Sequence, residues 1–171
     1  MKRLAIIGSS GAGKSTLAIA LGEKLSLPVI HLDSYFWQAG WSETSSNDWL
    51  EIQKEFIKSD RWIIDGNYSS TMDTRLDVAD TIIWLDFNRY LCLWRVIKRY
   101  LRYAGRVRPD MAAGCPEKLD LEFIQYVWNF PNLHRPEILA RLATYRNSKR
   151  IIILQNPDQV LDFLTQTVAL T

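Results

Sequence analysis

The sequence predicts an α/β fold, a doubly wound parallel sheet with helices on both faces. Three observations support it. Five short apolar runs recur along the chain, at 4–8, 28–32, 62–65, 81–86 and 150–155. Four of them are close to continuously apolar rather than alternating, as strands are when both faces are covered. Amphipathic helical patterns fill the intervals between them.

The first run, Leu4-Ala5-Ile6-Ile7, leads directly into Gly8-Ser9-Ser10-Gly11-Ala12-Gly13-Lys14-Ser15, and a helical pattern over 14–25 follows with Leu17, Ala18, Leu21 and Leu25 on one face. Strand, G-x-x-x-x-G-K-[ST] and helix together make a phosphate-binding loop. Glycines let backbone N–H groups turn inward around phosphate oxygens, and the helix N-terminus adds partial positive charge. Such a loop expects ATP and Mg²⁺. Nucleotide contacts are assigned to Gly8, Ser9, Ser10, Gly11, Ala12, Gly13, Lys14, Ser15 and Thr16. Lys14 supplies charge to the β- and γ-phosphates, and the Ser15 hydroxyl is the Mg²⁺ ligand.

Further helices are expected at 47–58, starting at an Asn47 cap with Trp49, Ile52 and Phe56 on one face, and at 90–103, 119–128, 137–146 and 158–168. Two segments fall outside a minimal sheet-and-helix core. Residues 34–46 are polar and aromatic without a period; with the helix behind them they form an acceptor-binding insertion over about 34–60. Residues 102–132, punctuated by Gly105, Pro109, Gly114, Pro116 and Pro131, are expected to form a lid. Ligands of open α/β sheets bind beyond the strand carboxyl ends, on the side these insertions occupy.

A chain of 171 residues, 47% hydrophobic and 12% aromatic, suits one domain, 1–171, with a full core. Its net charge of +2 does not by itself select nucleic acid or membrane. Cys92 and Cys115 lie far apart with no CxxC spacing, which argues against a structural metal and for a reducing compartment. There is no signal-peptide pattern and no span of about 20 apolar residues, so a cytoplasmic protein without a membrane partner is expected.

Three acids end apolar runs: Asp33, Asp65 and Asp86. Asp65, closing Trp62-Ile63-Ile64, has the form that orients Mg²⁺ through water. Asp33 is placed to accept the proton of an acceptor hydroxyl. The bland alternative for each is a carboxylate capping the next turn. Residues 89–108 hold seven Lys or Arg and no acid, with Arg95, Arg99, Arg102 and Arg106 on one helix face. Leu91, Trp94, Ile97 and Leu101 offer an apolar face to pack. The basic run fits a clamp on transferring phosphate, a solvated surface, or a nucleic-acid contact. Trp37 and Trp41 are expected to stack on an acceptor or seal a lid, with loop packing as the alternative. His31 and His134 have no visible partner and read as structural.

The stretches 8–16, 28–35, 62–68, 91–99, 105–119 and 128–131 resemble the bacterial "DNA topology modulation protein" family, within the adenylate-kinase-like P-loop kinases. The resemblance implies a P-loop NTPase three-layer sandwich with a five-strand sheet of order 2-3-1-4-5 and a mobile lid. It implies that Arg95 covers the base and Arg99 meets phosphates, that Arg135 and Arg141 help close the clamp, and that Asn156 and Pro157 lie near the base. Departures bear on the acceptor. Ser10 stands where nucleoside monophosphate kinases carry Pro, and Asp65-Gly66-Asn67-Tyr68 lacks their acceptor-gripping arginine, for which Arg75 is the nearest replacement. The loop and Asp33 look more like kinases of small hydroxylated metabolites, such as shikimate or gluconate kinases. The expectation is an ATP- and Mg²⁺-dependent phosphotransferase acting on a hydroxyl metabolite or nucleotide. Lys14, Asp33 and Arg99 are its catalytic residues, and Asp33, Trp37, Arg75 and Arg102 meet the acceptor. The alternative is a nucleotide-regulated nucleic-acid-binding protein using 89–108. A GTP-dependent switch lacks its Asn-Lys-x-Asp motif.

Overall fold

The structure is a computed structural model and describes residues 1–168. Strand β1 (Arg3–Gly8) runs into the glycine loop and helix α1 (Lys14–Leu25). Strand β2 (Val29–His31) is followed by one helical turn, α2 (Asp33–Phe36), and a ribbon of β3 (Trp37–Gln38) and β4 (Ser42–Glu43). Helix α3 (Ser46–Phe56) leads to β5 (Trp62–Asp65), the short α4 (Met72–Leu76) and β6 (Thr81–Leu85). Helices α5 (Arg89–Tyr103), α6 (Leu121–Leu133) and α7 (Arg135–Tyr145) precede β7 (Arg150–Leu154), and α8 (Pro157–Val168) comes last.

Five strands form one parallel sheet of order β2-β5-β1-β6-β7, with Leu4 opposite Ile63 on one side and Thr81 on the other. The expected order 2-3-1-4-5 differs in detail, because the unforeseen ribbon takes third and fourth place along the chain. Its two-residue strands are too short to leave a hydrophobic period. Since β1, β5 and β6 are buried along nearly their whole lengths, their side chains divide by parity between two cores. Leu4, Ile6, Ile63 and Ile83 pack toward α1, α5 and α8. Ala5, Ile7, Ile64, Ile82 and Trp84 pack toward α3, α4 and α7.

Two helices depart from expectation. The cap of α3 is Ser45, whose hydroxyl accepts from Asp48 N, rather than Asn47. On α5 the buried stripe is Cys92 and Val96. Trp94, Ile97 and Leu101, expected to pack, are 60, 40 and 73% exposed. The helix offers two apolar stripes, and the phosphate loop occupies only the one through Cys92.

Asp80 ties the start of the sheet together. Its Oδ2 accepts from Lys2 N at 2.7 Å and Arg3 N at 2.9 Å, and its Oδ1 accepts from Thr81 Oγ1 at 2.7 Å. Burial works to raise its pKa, but these donors outweigh it and hold the carboxyl below its usual value. A depressed carboxylate pKa stabilises the fold above the unfolded value, near 3.8, and that contribution fades as pH falls through the folded value. Asp80→Ala is expected to lower stability by about 1 kcal/mol at pH 7, from lost hydrogen bonds. The difference between the two proteins should narrow on acidification in urea titrations. A pH-independent difference would refute this account.

Candidate functional site

The glycine loop wraps the carboxyl end of β1 at the centre of the sheet. Gly11 has φ +81°, and a Cβ there would lie 2.3 Å from the Cys92 carbonyl oxygen. Gly8, at φ +144°, would press a Cβ to within 2.6 Å of Leu85 O. Both positions require glycine by conformation and by space. Lys14 Nζ donates to Ser9 O at 3.0 Å, closing the loop on itself. Burial pushes the Lys14 pKa down, opposed by the nearby charges of Asp33 and Asp65.

Asp65 is 3% exposed at the end of β5. Its Oδ1 accepts from His31 Nδ1 at 2.9 Å, and this hydrogen bond raises the His31 pKa against burial. His31 therefore has the partner that the sequence did not disclose. Asp65 Oδ2 is buried without a hydrogen-bond partner. A buried carboxylate oxygen left unpaired beside Lys14 and Ser15 fits a site for Mg²⁺ or its water shell. Among the described residues no group of three or more His, Cys, Asp or Glu is disposed to hold a metal. An ion here would draw most of its ligands from phosphate and water, as P-loop ions do.

Asp33, at the start of α2, accepts from Tyr68 Oη at 2.6 Å through Oδ1. Burial first, and the Asp33 charge second, push the Tyr68 pKa well up, so the phenol stays a donor. On the other side of Lys14, Arg99 Nε donates to Glu117 Oε1 at 2.8 Å, and Arg108 Nε lies 2.7 Å from Glu117 Oε2. Arg108 also bonds Asp110 through Nη1 at 2.9 and 3.1 Å. Burial lowers the Arg99 pKa, as does Arg108, while Glu117 opposes both. Arg95 donates to Ala12 O at 3.0 Å and lies over the Phe87 ring.

Two cavities open from this centre. One, about 460 Å³, runs from the loop past Arg95 to Pro157, Val160, Leu161 and Leu164 of α8. The other, about 650 Å³, is walled by Trp37, Trp41, Tyr68, Phe123 and Tyr126. Ser10, Lys14, Asp33, Arg99 and Arg108 line both. Residues 104–120 cover the second cavity and meet the ribbon: Trp41 Nε1 donates to Pro116 O at 3.0 Å and Gly40 N to Gly114 O at 2.9 Å.

The structure thus gathers Lys14, Ser15, Asp33, Asp65, Arg95, Arg99 and Trp37 as expected, with Pro157 beside the first cavity. Other expectations are corrected. Arg102 is exposed, lies over the Tyr103 ring and lines neither cavity. Arg75 is 0% exposed beneath the floor, donating to Gly66 O, Gln53 Oε1 and Thr71 O. It supports the backbone after Asp65 and does not reach an acceptor. Arg135 is held by Asp86, and Arg141 by Asp73, Glu137 and Ser69 O. Asn156 caps α8 by accepting from Gln159 N. Arg108 and Glu117 were missed as site residues. Arg108 is the last cation of the basic run, whereas nothing local marks Glu117.

Arg75→Ala is expected to cost about 3 kcal/mol of stability, from a cavity and unpaired carbonyls. Arg75→Met, which refills the volume, should recover part of that. Urea unfolding of the two variants measures both, and a cost below 1 kcal/mol for the alanine variant would contradict the structural role.

No protein-family model matches the chain. A protein of Bacillus subtilis (strain 168) named "Uncharacterized protein YqaC" is 24% identical over 134 residues, covering 77% of this chain and 74% of that one. The structure of a shikimate kinase from Acinetobacter baumannii, in complex with shikimate, superposes with TM-score 0.60 at 14% identity, over 99% of this chain and 92% of that one. A shikimate kinase from Bacteroides thetaiotaomicron gives 0.56 at 18% identity, over 99% and 97%. A gluconokinase from Sinorhizobium meliloti 1021 gives 0.54 at 16% identity, over 98% and 90%. With a phosphate loop at the end of β1 and these likenesses over nearly its whole length, the chain has the fold of the P-loop kinases.

Proposed function

We propose that this chain transfers the γ-phosphoryl group of ATP to a hydroxyl of a small molecule. The observation that carries the reading is that two cavities meet at Lys14, Asp33, Arg99 and Arg108. The first cavity suits a nucleotide, with triphosphate on the loop and the base in the apolar slot made by Pro157, Val160 and Leu161. Arg95 stands over that slot. The second cavity suits the acceptor.

The roles follow from the contacts. Loop N–H groups and Lys14 hold the β- and γ-phosphates. The γ-phosphate draws Lys14 from Ser9 O, and the partial desolvation of the ammonium strengthens that contact. Ser15 and Asp65 would hold Mg²⁺. When bound, that ion offsets charge on the β- and γ-oxygens. Asp33 takes the proton of the attacking hydroxyl, and Tyr68 fixes its orientation by occupying Oδ1. Arg99, held in place by Glu117, meets charge spreading over the transferred group. Residues 104–120 keep water out, so hydrolysis without acceptor is expected to be slow. The resemblance to the DNA topology modulation family, and to gluconate and shikimate kinases, agrees with this reading. Among the described residues no helix is long and apolar enough to cross a membrane.

The test is ADP release from Mg-ATP with pooled sugars, nucleosides, hydroxy acids and nucleotides, against Lys14→Ala as blank. Stimulation by one pool that Lys14→Ala abolishes is expected. ATP binding without stimulation by any pool would sink the kinase reading. A second reading, nucleic-acid binding, has one observation of its own. Tyr90 and Trp94 are 67 and 60% exposed on α5, beside exposed Lys98 and Arg102. It requires affinity that falls steeply with salt, and filter binding at two salt concentrations decides it.

A further inference from the structure

We infer that the acceptor of the second cavity is a hydroxylated ring compound without an acidic group, a sugar, amino sugar or nucleoside rather than a hydroxy acid or nucleotide. The inference rests on the phosphotransferase reading and goes on to name the class of molecule that reading leaves open.

It comes from where each cation of the chamber is engaged. A carboxylate or phosphate on the acceptor would need a cation that is not already matched, since taking an anion out of water without one costs several kcal/mol. Lys14 and Arg99 face the γ-phosphate. Both oxygens of Glu117 hold Arg99 and Arg108, and Asp110 holds Arg108 a second time. Glu117 is 5% exposed, so these attractions are only weakly screened. Lys118 is 3.6 Å from Asp120 and lies over the Trp41 ring at 5.2 Å. The two arginines nearest the chamber are also committed. Arg75 is sealed under the floor, and Arg141 is held by Asp73 and Glu137. Among the described residues, then, no Lys or Arg of this chamber is free for an anionic acceptor.

The acids are less fully matched. Glu43 and Glu122 line the chamber, are exposed, and have no cation within ion-pair distance among the described residues. With Asp33 they offer acceptors to hydroxyl or amine donors and repel carboxylates. The aromatic walls supply the rest. Trp37 and Trp41 stand at 67° with centroids 5.3 Å apart, and Tyr68 and Tyr126 face the same space. Such walls take up the apolar face of a ring while its edge is hydrogen-bonded. The ring of Trp41 already carries the Lys118 ammonium, so it accepts a cation as readily as a neutral face.

The test uses the full chain with saturating Mg-ATP and two acceptor pools. One holds neutral sugars, amino sugars and nucleosides. The other holds their acidic counterparts, aldonic acids and nucleoside monophosphates at equal concentration. ADP release at least tenfold higher with the first pool is expected. Release driven by the acidic pool alone overturns the inference and leaves the phosphotransferase reading standing. Silence from both pools, with Lys14-dependent ATP binding intact, overturns both. A second arm replaces the counter-ion: Glu117→Gln should release the two arginines and raise turnover of the acidic pool at least tenfold over the unaltered chain. A folded Glu117→Gln protein, checked by circular dichroism, that stays silent to the acidic pool would contradict the role given to Glu117.

Discussion

Lys14→Ala is expected to reduce ATP-dependent turnover about 10³-fold, near the upper end of what one preorganised donor to a developing anion contributes. Lys14 Nζ lies beside both Asp33 and Asp65 and lines both cavities, so one ammonium serves the nucleotide and the transferred group. The fold should tolerate its loss. The Nζ makes one hydrogen bond, to Ser9 O, and burial already disfavours its charge. Removing a desolvated cation relieves as much as it forfeits, so the thermal midpoint should stay within a few degrees. ADP release and calorimetry measure the two halves separately. Turnover within threefold of the parent would end the phosphate-loop assignment, whereas a collapse of the midpoint would mean the variant reports on folding.

Asp33→Asn is expected to lower kcat by about 10²–10⁴-fold, the range for a positioned general base. The replacement keeps shape and can still accept the Tyr68 hydrogen bond, so α2 and the aromatic wall stay in place. What it cannot do is take a proton. ATP affinity should therefore change by less than about twofold, and the acid limb of the pH–rate profile should flatten. A variant that keeps a tenth of the kcat, with its acid limb intact, would place the base elsewhere.

The sequence disclosed the phosphate loop, five strands and the acids Asp33 and Asp65 because each rests on a local pattern. Continuous apolar runs mark buried strands, and the glycine spacing marks the loop. The misread parts depend on what lies across the fold. Arg75 looked like an acceptor ligand because an arginine after β5 was missing from its usual motif. Its burial depends on Gln53, which lies 22 residues earlier on α3. The stripe of α5 that is buried depends on what packs against it, and periodicity alone does not choose between Cys92–Val96 and Trp94–Leu101. Glu117 joins Arg99 to Arg108 through an irregular segment that has no period to read.

The close approach of Gly11 to the Cys92 carbonyl has a mechanical consequence. Backbone touches backbone there, so the loop cannot shift without carrying the start of α5. Arg95 and Arg99 lie three and seven residues further along the same helix. They belong to one stiff body with the nucleotide cradle, and their placement is set once, when the chain folds. Arg108 and Glu117 ride on the covering segment instead. Any displacement of that segment detaches one guanidinium and leaves the other standing where the phosphate arrives. The docking problem at each turnover is thus reduced to a single moving partner finding a stationary one, and most of the ordering cost is settled before substrate binds.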